Sequence, residues 1–249
     1  MQLPAEIKRW IGERPYHLDD VGLSGSKVLL FDDMVLKIQP DSKESKTEHT
    51  IMKWLDGKLP APRVLYYEVV NGISYLLMTR VDGKMSCDLS YIYVPDRLVD
   101  LLAEGLKRLW TVDISDCPCN ASLDHHLAAA EYNVINGLVD LDDAEPETYG
   151  ENGFRNPEDL LGWLKANRPE EEPVFSHGDF CLPNIFANDH GVSGYIDIAI
   201  CYRRLKSNLR GSYGGHPPVD FDCDRLFDKL EIAPDWEKIR YYILLDELF

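Results

Sequence analysis

Two runs of strand-forming residues, Val64-Leu-Tyr-Tyr-Glu-Val-Val70 and Ile73-Ser-Tyr-Leu-Leu-Met78, flank the dipeptide Asn71-Gly72. Asn-Gly supplies the positive φ angles of a two-residue type I′ turn, so this stretch predicts a tight antiparallel hairpin. The preceding chain extends the same pattern. Residues 27–31 and 34–38 are β-type runs parted by Asp32-Asp33, a second hairpin signal. Ile7, Trp10 and Ile11 have the spacing of a short helix, and residues 45–55 read as another, stopped by Pro60 and Pro62.

After Asp82-Gly83 the pattern turns helical. Residues 97–110, 122–138 and 157–166 are amphipathic, with an acidic loop over residues 140–152 between the last two. Residues 174–179 read as a short apolar strand entering a turn. Ile185-Phe186 and residues 194–197 follow as further extended pieces, and residues 236–249 as a terminal helix. The expected fold class is therefore α+β. A small antiparallel-sheet lobe is expected over residues 1–81 and a larger, mainly helical lobe over residues 82–249.

Charge narrows the function. The 249 residues carry 26 Lys plus Arg against 43 Asp plus Glu, a net charge of −17. Nucleic-acid binding rests on basic side chains that neutralise phosphates, and no basic run of five or more residues occurs, so no nucleic-acid partner is expected. A surface this acidic either repels anions or gathers cations. Glu6, Lys8 and Arg9 stand where a secretory leader would be apolar, and no stretch approaches a membrane span, so a cytoplasmic protein without a membrane partner is expected. Cys87, Cys117, Cys119, Cys181, Cys201 and Cys223 lie apart, without a C-x-x-C pair, which predicts free thiols.

The most specific pattern is His177-Gly-Asp-Phe-Cys-Leu-Pro-Asn184, followed by Ile196-Asp197. Asp179 and Asn184 have the separation of the Asp and Asn in the protein-kinase loop H-R-D-x-x-x-x-N, and Asp197 follows as a second acid. Phosphoryl transfer needs a carboxylate to hold and deprotonate the attacking hydroxyl, and oxygen ligands for Mg²⁺. Lys37, in Val35-Leu-Lys-Ile38, alternates on a strand as the phosphate-binding kinase lysine does, with Glu48 on the next helix as its candidate partner. Ser24-Gly-Ser26 precedes the first long strand, where a phosphate-covering loop belongs. No Walker A motif occurs. His125-His126 read as packing or surface residues. Asp220, Asp222 and Asp224 lack the Gly and distal Glu of a calcium loop.

With these residues in view, the chain resembles the bacterial aminoglycoside 3′-phosphotransferases along nearly its whole length. The resemblance is carried by Trp54-Leu-Asp-Gly-Lys-Leu-Pro60, Asp113-Ile-Ser-Asp-Cys-Pro118, residues 174–179 and the tail from Pro234 to Phe249. It implies a protein-kinase-like two-lobed fold, ATP with Mg²⁺, and phosphorylation of the 3′-hydroxyl of kanamycin- and neomycin-type drugs. Under it Asp179 is the catalytic base, and Asn184 and Asp197 are the metal ligands. Lys37 backed by Glu48 contacts the nucleotide phosphates, Ser24 and Ser26 lie in the nucleotide loop, and Met78, Thr79 and Val81 belong to the hinge beside adenine. The drug-binding acids come from Glu145, Glu147 and Glu151, without a one-to-one match, and from Asp246, Glu247 and the terminal carboxylate of Phe249.

The chain departs from the family at two places. Val35 stands where the family often has a Tyr stacked on adenine, which leaves GTP as the alternative nucleotide. Ile196-Asp197 also runs directly into Ile198-Ala199, as though a loop of about a dozen residues were missing and two Asp positions merged. Asp197 is then the metal ligand, the helix-opening Asp, or both in sequence and neither in geometry; the strand-like residues before it favour the metal role. The expected activity is ATP-dependent aminoglycoside phosphorylation by a monomer or homodimer. The competing expectations are a catalytically impaired nucleotide- or drug-binding protein and a kinase of another small cationic metabolite.

Overall fold

The computed structural model describes residues 3–18, 26–142, 144–145, 147–198 and 223–249. Helix α1 (Ala5–Ile11) precedes strands β1 (His17–Leu18), β2 (Lys27–Leu30) and β3 (Met34–Pro40), helix α2 (Lys43–Leu55), and strands β4 (Val64–Val70) and β5 (Ile73–Thr79). The five strands form one antiparallel sheet in the order β1-β2-β3-β5-β4. Asn71 and Gly72 close its tightest hairpin at φ 53° and 74°, the left-handed pair that the sequence demands.

Alternation along β3 gives the sheet two distinct faces. Met34, Leu36 and Ile38 join Ile7 and Ile11 of α1 in one apolar cluster. Val35, Lys37 and Gln39 point to the other face, against α2: Val35 packs with Met52, and both polar side chains reach Glu48. The start of α2 is fixed by a reciprocal capping box between Ser42 and Ser45. Farther along, Ile51 and Leu55 leave the sheet and enter the main core.

The remaining elements are β6 (Lys84–Met85), α3 (Leu89–Ile92), α4 (Pro95–Trp110), α5 (Leu123–Ile135), α6 (Pro157–Ala166), β7 (Ile185–Asn188), β8 (Gly191–Tyr195), α7 (Cys223–Leu230) and α8 (Trp236–Asp246). Strands β6, β7 and β8 make a small antiparallel sheet. The apolar stripe of α4, including Leu98, Leu102 and Leu109, packs with Phe175, Phe180, Ile185 and Tyr195 in the main core. A separate cluster joins α5, α6 and α8 through Leu127, Leu160, Leu164, Tyr241 and Leu245.

Several boundaries differ from the sequence expectation. Residues 174–176 form no strand: they pair with no neighbour among the described residues, and Phe175 is instead buried against Trp54, ring centroids 5.5 Å apart. The helix expected over 122–138 begins after Ser122, its cap, and stops at Ile135, with Gly137 at φ 63° just beyond. The tail helix stops at Asp246. Helix α7 was not foreseen; Asp224 lies in its first turn, where an acid complements the helix dipole. Asp220, Asp222 and His216 lie outside the described residues. Cys87, Cys117, Cys119 and Cys181 are free thiols. No helix among the described residues is long and apolar enough to cross a membrane.

Strand β8 is seated by a contact that tolerates no side chain. The Tyr195 N–H donates to Pro60 O at 3.0 Å, and a Cβ on Gly194 would stand 2.5 Å from Val81 Cγ1 and 3.1 Å from Pro60 O. Gly194→Ala is expected to cost about 1–3 kcal/mol of stability in urea denaturation. Val81→Ala in the same chain should recover part of that loss.

Candidate active site

The centre of the site is an ammonium between two carboxylates. Lys37 Nζ lies 2.7 Å from Glu48 Oε1 and 2.7 Å from Asp197 Oδ1. The second Glu48 oxygen accepts from Gln39 Nε2 at 2.8 Å, so α2 is tied to β3 by two side chains on one sheet face. Burial works against the charge on Lys37, but Asp197 and Glu48 outweigh it and hold the lysine above its ordinary pKa. The side chains of Lys37 and Glu48 are 10% and 13% exposed, whereas that of Asp197 is 49% exposed and stands open to a ligand. Asp197 adopts φ 51°, left-handed backbone that a non-glycine residue seldom takes. Such conformations persist where surrounding structure enforces them. Here the Ile196 N–H donates to Asn184 O at 3.0 Å, which fixes the residue before it.

The loop from His177 to Asn184 is folded on itself. Gly178 turns the chain at φ 82°, Cys181 N–H donates to Asp179 O at 2.9 Å, and residues 182–184 make one 3₁₀ turn. Buried Asn184 donates its Nδ2 to both Asp179 O at 3.1 Å and Asp179 Oδ2 at 2.9 Å. The amide thereby orients the carboxylate, and its own Oδ1 is by its chemistry an acceptor. Burial, reinforced by the Asp179 charge, pushes the Cys181 thiol up to about 12, so it is no nucleophile. His177 is fully buried, beside the rings of Phe180 and Tyr195 at 6.1 and 6.0 Å. Burial drives it down to about 4 despite the opposing pull of Asp197, and neither ring nitrogen has a hydrogen-bond partner among the described residues.

On the sheet face that carries Lys37, Met52, Leu76 and Met78 form a small buried apolar cluster, with Val35, Val64 and Tyr67 packed against it. Met78 lies between Val35 and Val64 in the sheet register. The Thr79 N–H is engaged with Arg63 O at 2.9 Å and the Arg80 N–H with Asp33 O at 3.2 Å. Val81 packs over β8. Ser26 precedes β2 and is half-buried; Ser24 lies outside the described residues.

The acidic loop and the tail meet. Glu145 N–H donates to Glu247 Oε2 at 3.1 Å, and Asn133 of α5 holds Leu248 O at 2.9 Å. Phe249 stands edge-on to His126 of α5, centroids 6.4 Å apart. Asp246 ends α8, while Glu147 and Glu151 are exposed on the loop. Two residues of the site went unassigned in the sequence. Gln39 shares the face of Lys37 two residues earlier, a period-2 signal that was available. His177 stood inside the motif without a role.

The donor chemistry fits Mg²⁺. Asp197 and Asn184 offer hard oxygen ligands, and Mg²⁺ is held by one or two carboxylates together with substrate phosphates. No cluster of three His, Cys, Asp or Glu side chains able to hold a metal occurs among the described residues. A fixed carboxylate, a buried ammonium and partial metal ligation together suit transfer of a phosphoryl group.

The phosphotransferase enzyme family matches residues 18–199 of the chain. An aminoglycoside 3′-phosphotransferase of Enterococcus faecalis is 38% identical over 272 aligned positions that take in 100% of this chain and 99% of that one. With 249 residues here, 23 of those positions have no counterpart in this chain. A crystal structure of an aminoglycoside 3′-phosphotransferase of type VIII matches with a TM-score of 0.70 at 24% identity, over 98% of this chain and 97% of that one. The Streptomyces rimosus aminoglycoside phosphotransferase in complex with ADP and streptomycin matches with a TM-score of 0.67 at 21% identity, over 97% and 95%. The fold is thus the α+β, two-lobed, protein-kinase-like fold that the sequence predicts.

The buried neutral His177 makes stability depend on pH. Its folded pKa of about 4 lies below the ordinary value of 6.5, so on acidification the unfolded chain takes up a proton that the folded one does not. Stability should therefore fall as pH drops from 6.5 toward 4, with about 2 kcal/mol lost at pH 5 from this group. Chemical denaturation at pH 7 and pH 5 measures it, and His177→Gln should flatten the difference by that amount.

Proposed function

This chain belongs to the phosphotransferase enzyme family that includes the aminoglycoside 3′-phosphotransferases, and on that premise we propose that it transfers the γ-phosphoryl group of ATP to the 3′-hydroxyl of kanamycin- and neomycin-type drugs and so confers resistance. The observation that carries this reading is Lys37 held between Glu48 and Asp197, next to a loop in which Asn184 aims the Asp179 carboxylate. The adenine ring lies against the apolar face of the cluster of Met52, Leu76 and Met78, beside Val35, with its edge read by backbone groups near Val81, since the Thr79 and Arg80 amides are already engaged. Lys37 turns to the α- and β-phosphates while Glu48 retains it, and Ser24 and Ser26 belong to the loop over the phosphates. Asp197 and Asn184 would hold Mg²⁺, which would supply positive charge to offset the charge that develops in transfer.

Asp179 accepts the proton of the attacking hydroxyl. Its direction is set by the Asn184 amide, so base and metal ligands act from one rigid turn. The drug is a polycation, drawn by Glu145, Glu147, Glu151, Asp246, Glu247 and the Phe249 carboxylate. Each ammonium–carboxylate pair at ~4 Å contributes about 4 kcal/mol at an effective dielectric of 20, before desolvation. Several such pairs hold varied drugs without close shape matching. The binding-only reading, which rested on the short segment after Asp197, loses ground because Asp197 stands at Lys37 with its carboxylate open.

A coupled assay of kanamycin-dependent ADP release tests the proposal, with GTP in place of ATP in a parallel arm. Asp179→Ala is expected to lower kcat about 10²–10⁴-fold, the usual contribution of a positioned base. Lys37→Met should raise KM for ATP and leave KM for the drug in place. Absence of drug-dependent turnover in folded enzyme would overturn the reading.

A further inference from the structure

The acidic loop is a closed turn. Phe154 N–H donates to Thr148 O at 2.8 Å and Gly150 N–H to Phe154 O at 3.1 Å, with a parallel bridge between Tyr149 and Phe154. A Cβ at Gly153 would collide with the Glu147 and Thr148 carbonyls, so only glycine permits this closure. Tyr149 and Phe154 pack on the apolar cluster of α5, α6 and α8, the helix that carries Asp246 and Glu247 at its end. The ring of Tyr149 therefore anchors one acid-bearing segment to the base of the other.

Its hydroxyl does something different. The oxygen is shielded from solvent and has no hydrogen-bond partner among the described residues. Burial, then the charges of Glu247 and Glu158, push the phenol up to about 12, so at neutral pH it remains a protonated donor. A buried donor without an acceptor is unfavourable, yet this one lies in a neighbourhood of carboxylates. Glu247 already accepts the Glu145 N–H on Oε2. Glu247 is the carboxylate whose charge bears most strongly on the phenol and is its candidate acceptor in the complex, and a hydrogen bond to a carboxylate is of the stronger kind.

On the reading that loop and tail bind an aminoglycoside, we propose that Tyr149 is a positioning residue of the drug site, whose hydroxyl donates to the Glu247 carboxylate when the polycation binds and fixes its direction toward an ammonium group. The free protein carries the unmet donor and the complex satisfies it. Relief of that cost adds to drug affinity, because a ligand gains whatever free energy separates the two arrangements.

Tyr149→Phe keeps the ring and removes one oxygen. In the free protein its thermal midpoint should equal or exceed that of the wild type. Kanamycin binding by calorimetry should weaken about tenfold, the effect of one hydrogen bond to a charged group. In turnover, KM for the drug should rise with kcat and KM for ATP unchanged. Tyr149→Ala, which also loses the ring, should lower the midpoint and the affinity together. A purely packing role leaves the drug affinity of Tyr149→Phe untouched, and that result overturns the proposal. So does a free-protein midpoint lowered by several degrees, which would mean the hydroxyl is already bonded. Calorimetry needs no turnover: a wild type that binds kanamycin without phosphorylating it overturns the catalytic reading alone, whereas one that binds no aminoglycoside overturns both.

Discussion

The ammonium of Lys37 joins three parts of the chain that are far apart in sequence. It leaves β3, reaches Glu48 on α2 and Asp197 just past β8, and is nearly excluded from water. An unaccompanied lysine at that depth would lose its proton, and the two carboxylates prevent this. The dependence runs both ways. A buried charge left without its partner is strongly unfavourable, so α2 and the turn at Asp197 are held to positions that keep both carboxylates within reach. The sheet, the helix and the turn at Asp197 are thus registered by one ammonium group.

That registration would be fragile if α2 belonged to the sheet alone. Its inner face is instead divided: Met52 lies under the sheet, while Ile51 and Leu55 enter the core built on α4. In its last turn Trp54 donates Nε1 to Asp116 at 2.9 Å; just beyond the helix Lys58 pairs with the same carboxylate at 2.5 Å, and its ammonium stands 4.1 Å from the Trp54 ring centre. Trp54 also touches Phe175, two residues before His177. The helix that positions Glu48 is thus packed against the segment that leads into the catalytic loop. The Trp54–Pro60 and Asp113–Pro118 stretches, which carry much of the family resemblance, meet at this contact.

Much of this was legible in the sequence because it depends on local rules. Asn71-Gly72 dictates its turn, alternation through Val35, Lys37 and Gln39 puts three side chains on one face, and the Asp179–Asn184 spacing fits one folded turn. What the sequence hid depends on distant partners. Residues 174–176 have the composition of a strand and lack a neighbour to pair with, so their apolar side chains pack without a ladder. His177 showed as a motif letter; its burial arises from Phe180 below and Tyr195 beside it, neither of which a spacing rule connects. The acids at Glu145 and Glu247 were named from resemblance, but their direct link runs through a backbone N–H, which no residue type reveals.

The short segment after Asp197 raised the question whether this carboxylate keeps its place, and the answer lies in what holds the residues that lead to it. Gly194 fits under Val81 and Pro60 with no space to spare, Tyr195 donates its N–H to Pro60 and its hydroxyl to Gly105 of α4, and the Ile196 N–H is bound by Asn184. Lys37 completes the set from the opposite side. These restraints come from residues up to and including Asp197. The left-handed turn at Asp197 is thus held from the strand and the loop before it. The same logic applies to charge. A net −17 is a property of the whole surface and only steers cations toward it, whereas Glu247 is fixed by the Glu145 N–H and by α8. Carboxylates held in this way present acceptors in set directions, and direction, more than the total, is what distinguishes one polyamine from another.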